Sequence, residues 1–513
     1  MIKRIEKLLR LPALMAGLGV LAAAPAAAQN FKTLYTFTLA TGVSSTGYSL
    51  NSDGRNPYGG LAIAGNTLAG TANSGGNFGW GTVFILNTDG TGFMPVHSFS
   101  METYIASRGI TTNSDGGNPQ AALVATATAL YGTTSQLGSG GCGTVFALSF
   151  ATGFTNLHNF PTNVLVPNQT DTDYYTNSDG ANPEAGLIIS GNTLYGTAEN
   201  GGLFGYGTVF RINTDGSGFT NLHSFTAIPY ASTKNNDGAN PIGGLVLSGS
   251  TLYGAAQNGG TNGWGTIFAL KTNGTGFTNL YHFTDGSDGA LPAAGLILSG
   301  NTLYGTTSYG GNSNNSGGGT VFAINITGDG FRPLQVFTAR VNGTNGDGYS
   351  PRAGLVMLGN TLYGTASGGG TSDYGTVFAV NINGTGFETL HSFSAVFTNS
   401  TGVPTNSDGT YPFGTLILSS NTLFGTAAFG GTNGDGTLFS LPVLGPELSI
   451  AHSGTNVILT WPTNEPGFNL EYATNLVSPT IWNTNLPTPV VVNTNNTVTN
   501  PIASTRKFYR LYQ

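Results

Sequence analysis

The chain has 513 residues, of which only 8% are charged, 80 are glycine and one is cysteine, and its formal net charge is −7. An acidic chain with no basic run offers nothing to a phosphate backbone, which excludes a nucleic-acid-binding role. The lone Cys142 excludes an internal disulfide and has no partners at metal-ligand spacing, so it reads as a small residue in the Gly-rich turn Gly140-Gly141-Cys142-Gly143.

The first element is an export signal. Lys3, Arg4, Lys7 and Arg10 form a positive stretch, Leu11 to Leu21 an apolar core, and Ala26-Ala27-Ala28 a small-residue cleavage site. Cleavage before Gln29 is expected, by the general secretory route because no Arg-Arg pair is present. The apolar core is short for a bilayer span, and no later segment is apolar enough to make one. The mature chain is therefore expected without a membrane span, in an extracellular, periplasmic or cell-surface location.

From Phe31 to Leu441 one unit recurs, seen most clearly at Gly186 to Phe225. Short apolar runs at Leu187 to Ser190, Thr193 to Thr197, Thr208 to Ile212 and Phe219 to Phe225 are bounded by Gly, Asn and Asp, the pattern of four strands joined by turns. The second-strand motif stands at Leu68, Tyr131, Tyr195, Tyr253, Tyr304, Tyr363 and Phe424. The third-strand motif Gly-Thr-Val-Phe or a close variant begins at Gly81, Gly143, Gly207, Gly265, Gly319, Gly375 and Gly436. The fourth strand begins at Phe31, Phe93, Phe154, Phe219, Phe277, Phe331 and Phe387.

These series are out of phase. The first fourth strand precedes any first strand, and the last repeat stops after its third. A chain arranged this way closes a ring, hiding the edges that an open stack would expose. The expectation is an all-β fold: a seven-bladed β-propeller of four-stranded blades over 29–444, closed by the N-terminal strand. In such a meander the short hairpins lie on one face. The second-to-third loops and the inter-blade connectors, Met101 to Thr112, Pro161 to Thr176, Ala227 to Asn235 and Ala395 to Thr405, lie on the other, where variation favours binding.

Asp53, Asp115, Asp179, Asp237, Asp288, Asp347 and Asp408 each precede Gly, with a proline a few residues on. Seven carboxylates at one mouth could hold calcium, but Asp-Gly with a nearby proline is also a turn in which the carboxylate accepts backbone N–H bonds. Equivalence across seven copies and the absence of a calcium-loop spacing favour the turn, and no cofactor is expected. Asp89, Asp215 and Asp329 are hairpin residues, replaced by Asn273 and Asn383 elsewhere. The fifth position of the fourth strand holds His97, His158, His223 and His391, with Tyr35, Tyr281 and Gln335 in other copies. A catalytic histidine is normally single, so this is a packing or hydrogen-bonding position. His282 stands one residue out of register.

Candidate ligand contacts lie on the variable face. Trp80, Tyr206, Trp264 and Tyr374 precede third strands, where rings stack on sugars or pack between blades. Asp171, Asp173, Tyr174 and Tyr175 occupy the longest connector, as a local cation or sugar site or as a solvated loop. No Ser-His-Asp set, nucleophile elbow, phosphate loop or zinc spacing can be assembled. Glu102, Glu184, Glu199 and Asp171 are the isolated carboxylates that an enzyme could use.

After Leu444 the repeat ends. Val457 to Trp461, Phe468 to Tyr472, Val490 to Asn493 and Lys507 to Tyr512 alternate as strands, and 445–513 is expected to form a small β-sandwich-like module of fibronectin or immunoglobulin kind.

The repeat GL-x-x-x-GNTLYGT-x-x-x-GG, followed by GTVF and N-x-DG-x-GF, resembles the GloVer tandem repeat of secreted bacterial "choice-of-anchor" proteins. The resemblance covers nearly all of Phe31 to Leu441 and implies export and a propeller-like array, with no activity attached. The tail resembles those of other secreted bacterial proteins at Trp461, Leu470, Asn475, Trp482 and Tyr509 to Leu511, without an anchor's apolar helix and basic end. The expectation is thus a secreted monomer that binds glycan or protein through its variable face. The alternatives are a carbohydrate-active enzyme and a structural envelope component.

Overall fold

The structure, a computed structural model, describes residues 31–512 apart from 45–46, 167–173, 230–231, 313–316, 342–343, 401, 444–447, 463–468, 475–481, 493–494 and 502–506. The expected leader and its cleavage site lie outside the described residues, as do Asp171, Asp173 and Asn475.

Every regular element described is a strand. The unit at 186–225 folds as Ile188–Ser190, Thr193–Ala198, Thr208–Asn213 and Thr220–Ser224, paired consecutively and antiparallel. Among the described residues, seven four-stranded sheets carry the repeat. Their third strands are Thr82–Asn87, Thr144–Ser149, Thr208–Asn213, Thr266–Lys271, Thr320–Asn325, Thr376–Asn381 and Thr437–Pro442, and the sheets are numbered first to seventh in that order. The seventh takes its outer strand from the other end of the chain: Lys32–Thr36 lies antiparallel to Thr437–Pro442, with Lys32 opposite Ser440 and Thr36 opposite Thr437.

Three motif residues meet in one contact, which explains their recurrence. A Cβ on Gly70 would lie 2.6 Å from Cζ of Phe84 and 2.7 Å from Cδ2 of Leu61. The second-strand glycine thus makes room for the third-strand Phe and the first-strand Leu, and the same triple forms at Gly132, Gly196, Gly254, Gly305, Gly364 and Gly425. Burying one such ring contributes roughly 1.5–3 kcal/mol.

Each apolar core of the repeat joins two consecutive sheets. Trp80, Val83 and Phe99 of the first pack with Leu123, Leu130 and Phe146 of the second. The pattern repeats to Tyr363 and Phe393 of the sixth with Leu423 and Phe439 of the seventh. Phe424 and Leu438 of the seventh then pack with Leu61, Leu68 and Phe84 of the first, around the buried Phe37. Second-strand threonines add a polar link to the next sheet: Thr71 Oγ1 donates to Ala121 O at 3.1 Å, and Thr426 Oγ1 to Gly59 O at 3.0 Å. The fourth sheet has Ala255 at this position and lacks the hydroxyl.

The joints also fix the backbone. The residue before each proline has a left-handed φ, for example Asn118 at 53°, Leu291 at 56° and Tyr411 at 55°. That conformation costs an L-residue roughly 1–2 kcal/mol. It is held by an N–H bond to the preceding sheet, from Asn118 to Trp80 O at 3.0 Å, Tyr411 to Tyr374 O at 2.8 Å and Asn56 to Asp435 O at 2.8 Å. The proline itself lies over the third-strand glycine, where a Cβ on Gly436 would meet Pro57 Cδ at 2.5 Å.

The long connectors differ from the loops expected. Thr103–Ile105 pairs with Ile110–Thr112, Val164–Val166 with Tyr174–Thr176, and Phe397–Thr398 with Pro404–Thr405. They are small hairpins, favoured by their β-branched and aromatic residues. In the C-terminal part, Ser449–Ser453, Asn456–Pro462, Asn495–Pro501 and Val490–Val492 form one sheet, and Asn469–Ala473 pairs with Phe508–Tyr512. Leu459, Trp461, Leu470 and Val498 are buried together. The strands at 449–453 and 495–501 were not apparent from the sequence pattern.

Deleting residues 31–38 removes Phe37 from its core and exposes the edge of Thr437–Pro442. Loss of a buried Phe alone costs about 3–5 kcal/mol, so a thermal melt should show a drop of roughly 10 °C or more, or aggregation. An unchanged melting temperature would show that this strand contributes nothing to the fold.

Candidate functional site

The Asp-Gly carboxylates are built into the joints between sheets. Asp115 meets His97 Nε2 at 3.0 Å and accepts the Ser100 N–H at 3.1 Å and the Ser100 hydroxyl. Asp237 does the same with His223 and Thr226, and Asp408 with His391 and Ser394. Asp53 accepts the Tyr35 hydroxyl at 2.7 Å, and Asp288 the Tyr281 hydroxyl at 3.1 Å. Asp179 faces His158 at 3.1 Å. These carboxylates accept backbone N–H bonds, as expected, but from a residue just past the preceding fourth strand. The turn is closed by an asparagine two residues earlier, Asn51 Oδ1 accepting the Gly54 N–H at 3.0 Å, while the carboxylate reaches the end of the preceding fourth strand.

The histidines also stack. His97 lies on Phe154 of the next sheet at 4.0 Å, His223 on Phe277 at 3.8 Å, and His391 on Phe31 at 3.8 Å. With its face on a phenyl ring and its edge on a carboxylate, each is committed to a joint rather than free for proton transfer. His282 stands opposite Thr266 where Ser98 stands opposite Thr82. It takes over that serine's bond: His282 Nδ1 accepts the Thr261 N–H at 3.2 Å, and Ser98 Oγ the Asn77 N–H at 2.9 Å. Burial lowers the His282 pKa, which suits an acceptor.

The predicted contact residues separate into different settings. Trp80 is 4% exposed and sits in the core between the first two sheets, its Nε1 donating to Glu102. Tyr206 is half-buried and donates to Ile228 O at 3.3 Å, and Trp264 packs between the fourth and fifth sheets. Tyr374 meets Tyr411 edge to face at 5.7 Å. Tyr174 and Tyr175 lie on a hairpin strand, and Tyr175 is 59% exposed.

Two clefts form on the connector side. One, of about 490 Å³, brings Trp80 and Tyr175 together with Tyr48, Gln136, Asn163 and Asn182, walled by Ile110 and Thr111 of one connector hairpin. Tyr48 is 39% exposed and lies 4.5 Å from Trp80. The other, of about 660 Å³, holds Tyr374, Tyr411 and Phe429 with Val403 and Pro404, beside the 2.8 Å ion pair of Arg55 and Asp435. Tyr206 and Trp264 line neither.

A third cavity, of about 480 Å³, is touched by all seven sheets. Its lining includes the residue after each proline: Tyr58, Gln120, Glu184, Ile242, Ala293, Arg352 and Phe413, set among small residues such as Gly59, Gly60 and Ala122. Of these only Glu184 was singled out from the sequence. The signal was present, since this position follows a proline found in every copy yet holds aromatic, amide, acidic, aliphatic and basic residues. Glu184 is pushed up to about 7 by burial and by Glu199, against a bond from Gln120. Glu199 is raised by its own burial.

The model of the Gloeobacter/Verrucomicrobia repeat matches residues 21–228 and 229–407. No curated protein matches the chain. Among solved structures, the chain is similar to the GH74 enzyme of Niastella koreensis, at 14% identity over 85% of this chain and 59% of that one, with a TM-score of 0.43. It is similar to an oligogalacturonate lyase in complex with manganese at 10% identity over 81% and 96%, TM-score 0.43. It is also similar to a chain of a nidogen/laminin complex at 15% identity over 56% and 82%, TM-score 0.32.

The joints have a pH signature. The His158 bond holds Asp179 below the usual carboxylate range. At Asp408 burial acts upward, but the His391 and Ser394 bonds together outweigh it. A depressed folded pKa contributes stability that is present above the unfolded value, near 3.8, and lost as pH falls through the folded one. Melting temperature should therefore fall below about pH 4. Asp408→Asn should lower stability at pH 7 and flatten the acid limb, which a series of melts from pH 3 to 7 measures.

Proposed function

The chain belongs to the Gloeobacter/Verrucomicrobia repeat family, and from that premise we propose that it is an exported, non-catalytic recognition protein. In this reading residues 1–28 are a cleaved signal peptide, 29–444 a seven-bladed β-propeller closed by the N-terminal strand, and 445–513 a β-sandwich-like module. The mature chain acts as a monomer at or beyond the cell surface. Closure is supported by the return of the pairwise cores from the seventh sheet to the first and by the cavity that all seven sheets touch.

The ligand of this reading is a glycan, met on the connector side. The observation that carries it is the cleft where the exposed rings of Tyr48 and Tyr175 stand beside the amides of Gln136, Asn163 and Asn182. Rings that stack on apolar sugar faces next to amides that bond hydroxyls are the two halves of carbohydrate recognition. The joint role of the Asp-Gly series supports a fold without a resident metal.

The enzyme alternative has one foothold. Glu184 near 7 with Glu199 close by has the protonation of a general acid at neutral pH. Release of reducing ends from a polysaccharide, abolished in Glu184→Gln, would favour that alternative.

A glycan array with residues 29–513, followed by calorimetry on the best hit, tests recognition. Tyr48→Ala and Tyr175→Ala should each weaken binding about fivefold, as expected for roughly 1 kcal/mol per stacked ring. Asp215→Ala, in an exposed hairpin of the opposite face, should leave affinity unchanged. Affinity indifferent to both tyrosines but sensitive to Asp215 would reverse the functional face. Chelation with EDTA should leave the melting temperature unchanged. A fall restored by calcium would make the Asp-Gly carboxylates ligands.

A further inference from the structure

The cavity at the centre of the seven sheets is chemically asymmetric. Its two aromatic rings are neighbours: Tyr58 and Phe413 belong to the first and seventh sheets and stack with centroids 5.4 Å apart. Its hydrogen-bonding side chains are also neighbours, Gln120 of the second sheet and Glu184 of the third. Gln120 Nε2 donates to Glu184 Oε1 at 3.2 Å and to Ser135 Oγ at 3.0 Å, which fixes the pair. Arg352 enters from the sixth sheet, as far from Glu184 as the order of seven sheets allows.

Arg352 differs from the other arginines near acids. Arg55, Arg340 and Arg510 each pair with a carboxylate at 2.8–3.0 Å. Among the described residues Arg352 makes no ion pair. Its Nε donates to Ser350 Oγ at 3.1 Å, which orients the guanidinium and leaves its outer edge for a ligand. In a chain with 8% charged residues, a solvent-facing guanidinium in a cavity of glycine and alanine is a specific provision. The cavity's one carboxyl, Glu184, faces Glu199 of its own sheet and Gln120 of the preceding one, and is pushed up to about 7. At neutral pH it is in part protonated and does not cancel the Arg352 charge, so the cavity favours an anion.

We propose that this central cavity is a second ligand site, separate from the connector-side clefts, that binds a small sugar acid. The carboxylate meets the Arg352 fork, the apolar face of the pyranose lies against Tyr58 and Phe413, and the hydroxyl edge bonds Gln120 and Glu184. A guanidinium binds carboxylates through two parallel N–H bonds. An amide beside a half-protonated carboxyl both donates to and accepts from hydroxyls. The volume of about 480 Å³ fits a monosaccharide or the end of a short chain.

Calorimetry of residues 29–513 with sodium D-glucuronate at low salt tests this, with D-glucose and sodium acetate as comparators. Glucuronate should bind at least tenfold more tightly than either. Arg352→Gln should weaken glucuronate at least tenfold with an unchanged melting temperature, because the side chain is exposed, and Arg352→Lys should retain part of the affinity. Tyr48→Ala and Tyr175→Ala should not affect it, which separates this site from the clefts. Between pH 6 and 8 affinity should fall as Glu184 ionises, and Glu184→Gln should remove that fall. Failure to bind glucuronate at millimolar concentration, equal binding of glucose or acetate, or an Arg352→Gln affinity equal to wild type would each overturn the proposal.

Discussion

The structure depends on the fact that no sheet can bury its own faces. A four-stranded sheet of this size has two, and each core of the repeat is made by two consecutive sheets. The repeated sequence is therefore mostly a recipe for one joint. The third-strand glycine lies under the next sheet's proline, the left-handed residue before that proline bonds back to the preceding sheet, and the Asp-Gly carboxylate grips the end of the preceding fourth strand. These contacts are short-ranged and alike in each copy. The N-terminal strand is subject to the same demand, since without it the seventh sheet has no outer strand to carry Phe31 against His391.

One joint departs from the recipe and shows what the recipe does. The fifth sheet has Gln335 where the others have His or Tyr, and Gln335 Nε2 donates to Val336 O instead of reaching Asp347. Asp347 still accepts the Thr338 N–H at 2.8 Å. The missing ring is offset nearby. Asn345–Tyr349 pairs with Gly368–Gly370, Arg340 lies 4.1 Å from the Tyr349 ring, and its Nε meets Asp373 at 3.0 Å. The connector itself supplies the cross-link that His and Asp make elsewhere.

How much was legible in the sequence follows from the range of each interaction. The strands at 186–225 fell within a residue or two of the expected bounds because glycine and asparagine turns are local signals. The His–Asp pairing was not legible. His97 and Asp115 are 18 residues apart and His223 and Asp237 only 14, across connectors of unequal length. Spacing therefore gave no constant offset to notice. Trp80 illustrates a different limit: an aromatic in a Gly-rich loop is open to either stacking on a ligand or packing between sheets. The choice is made by distant groups, the connector bringing Glu102 to its indole N–H and the next sheet covering the ring. Tyr175 lies in the same cleft and keeps its exposure, because a hairpin strand offers every second side chain to solvent.

The same logic explains where chemistry can vary. Positions that make the joint are fixed by their neighbours' shape: the second-strand glycine by a phenyl ring, the third-strand glycine by a proline. The residue after the proline makes neither contact. Its backbone direction is set by the proline and the left-handed residue before it, while its side chain is directed to a cavity shared by all seven sheets. Such a position has a rigid frame and stands outside the glycine–phenyl and glycine–proline contacts, so it can differ from copy to copy without cost to them. The run Tyr58, Gln120, Glu184, Ile242, Ala293, Arg352 and Phe413 has the variety expected where packing does not choose the residue. Packing alone would not place one acid and one arginine far apart in a chain so poor in charge. Arg352, held by Ser350 and without an ion pair among the described residues, is the member of this run that packing explains least.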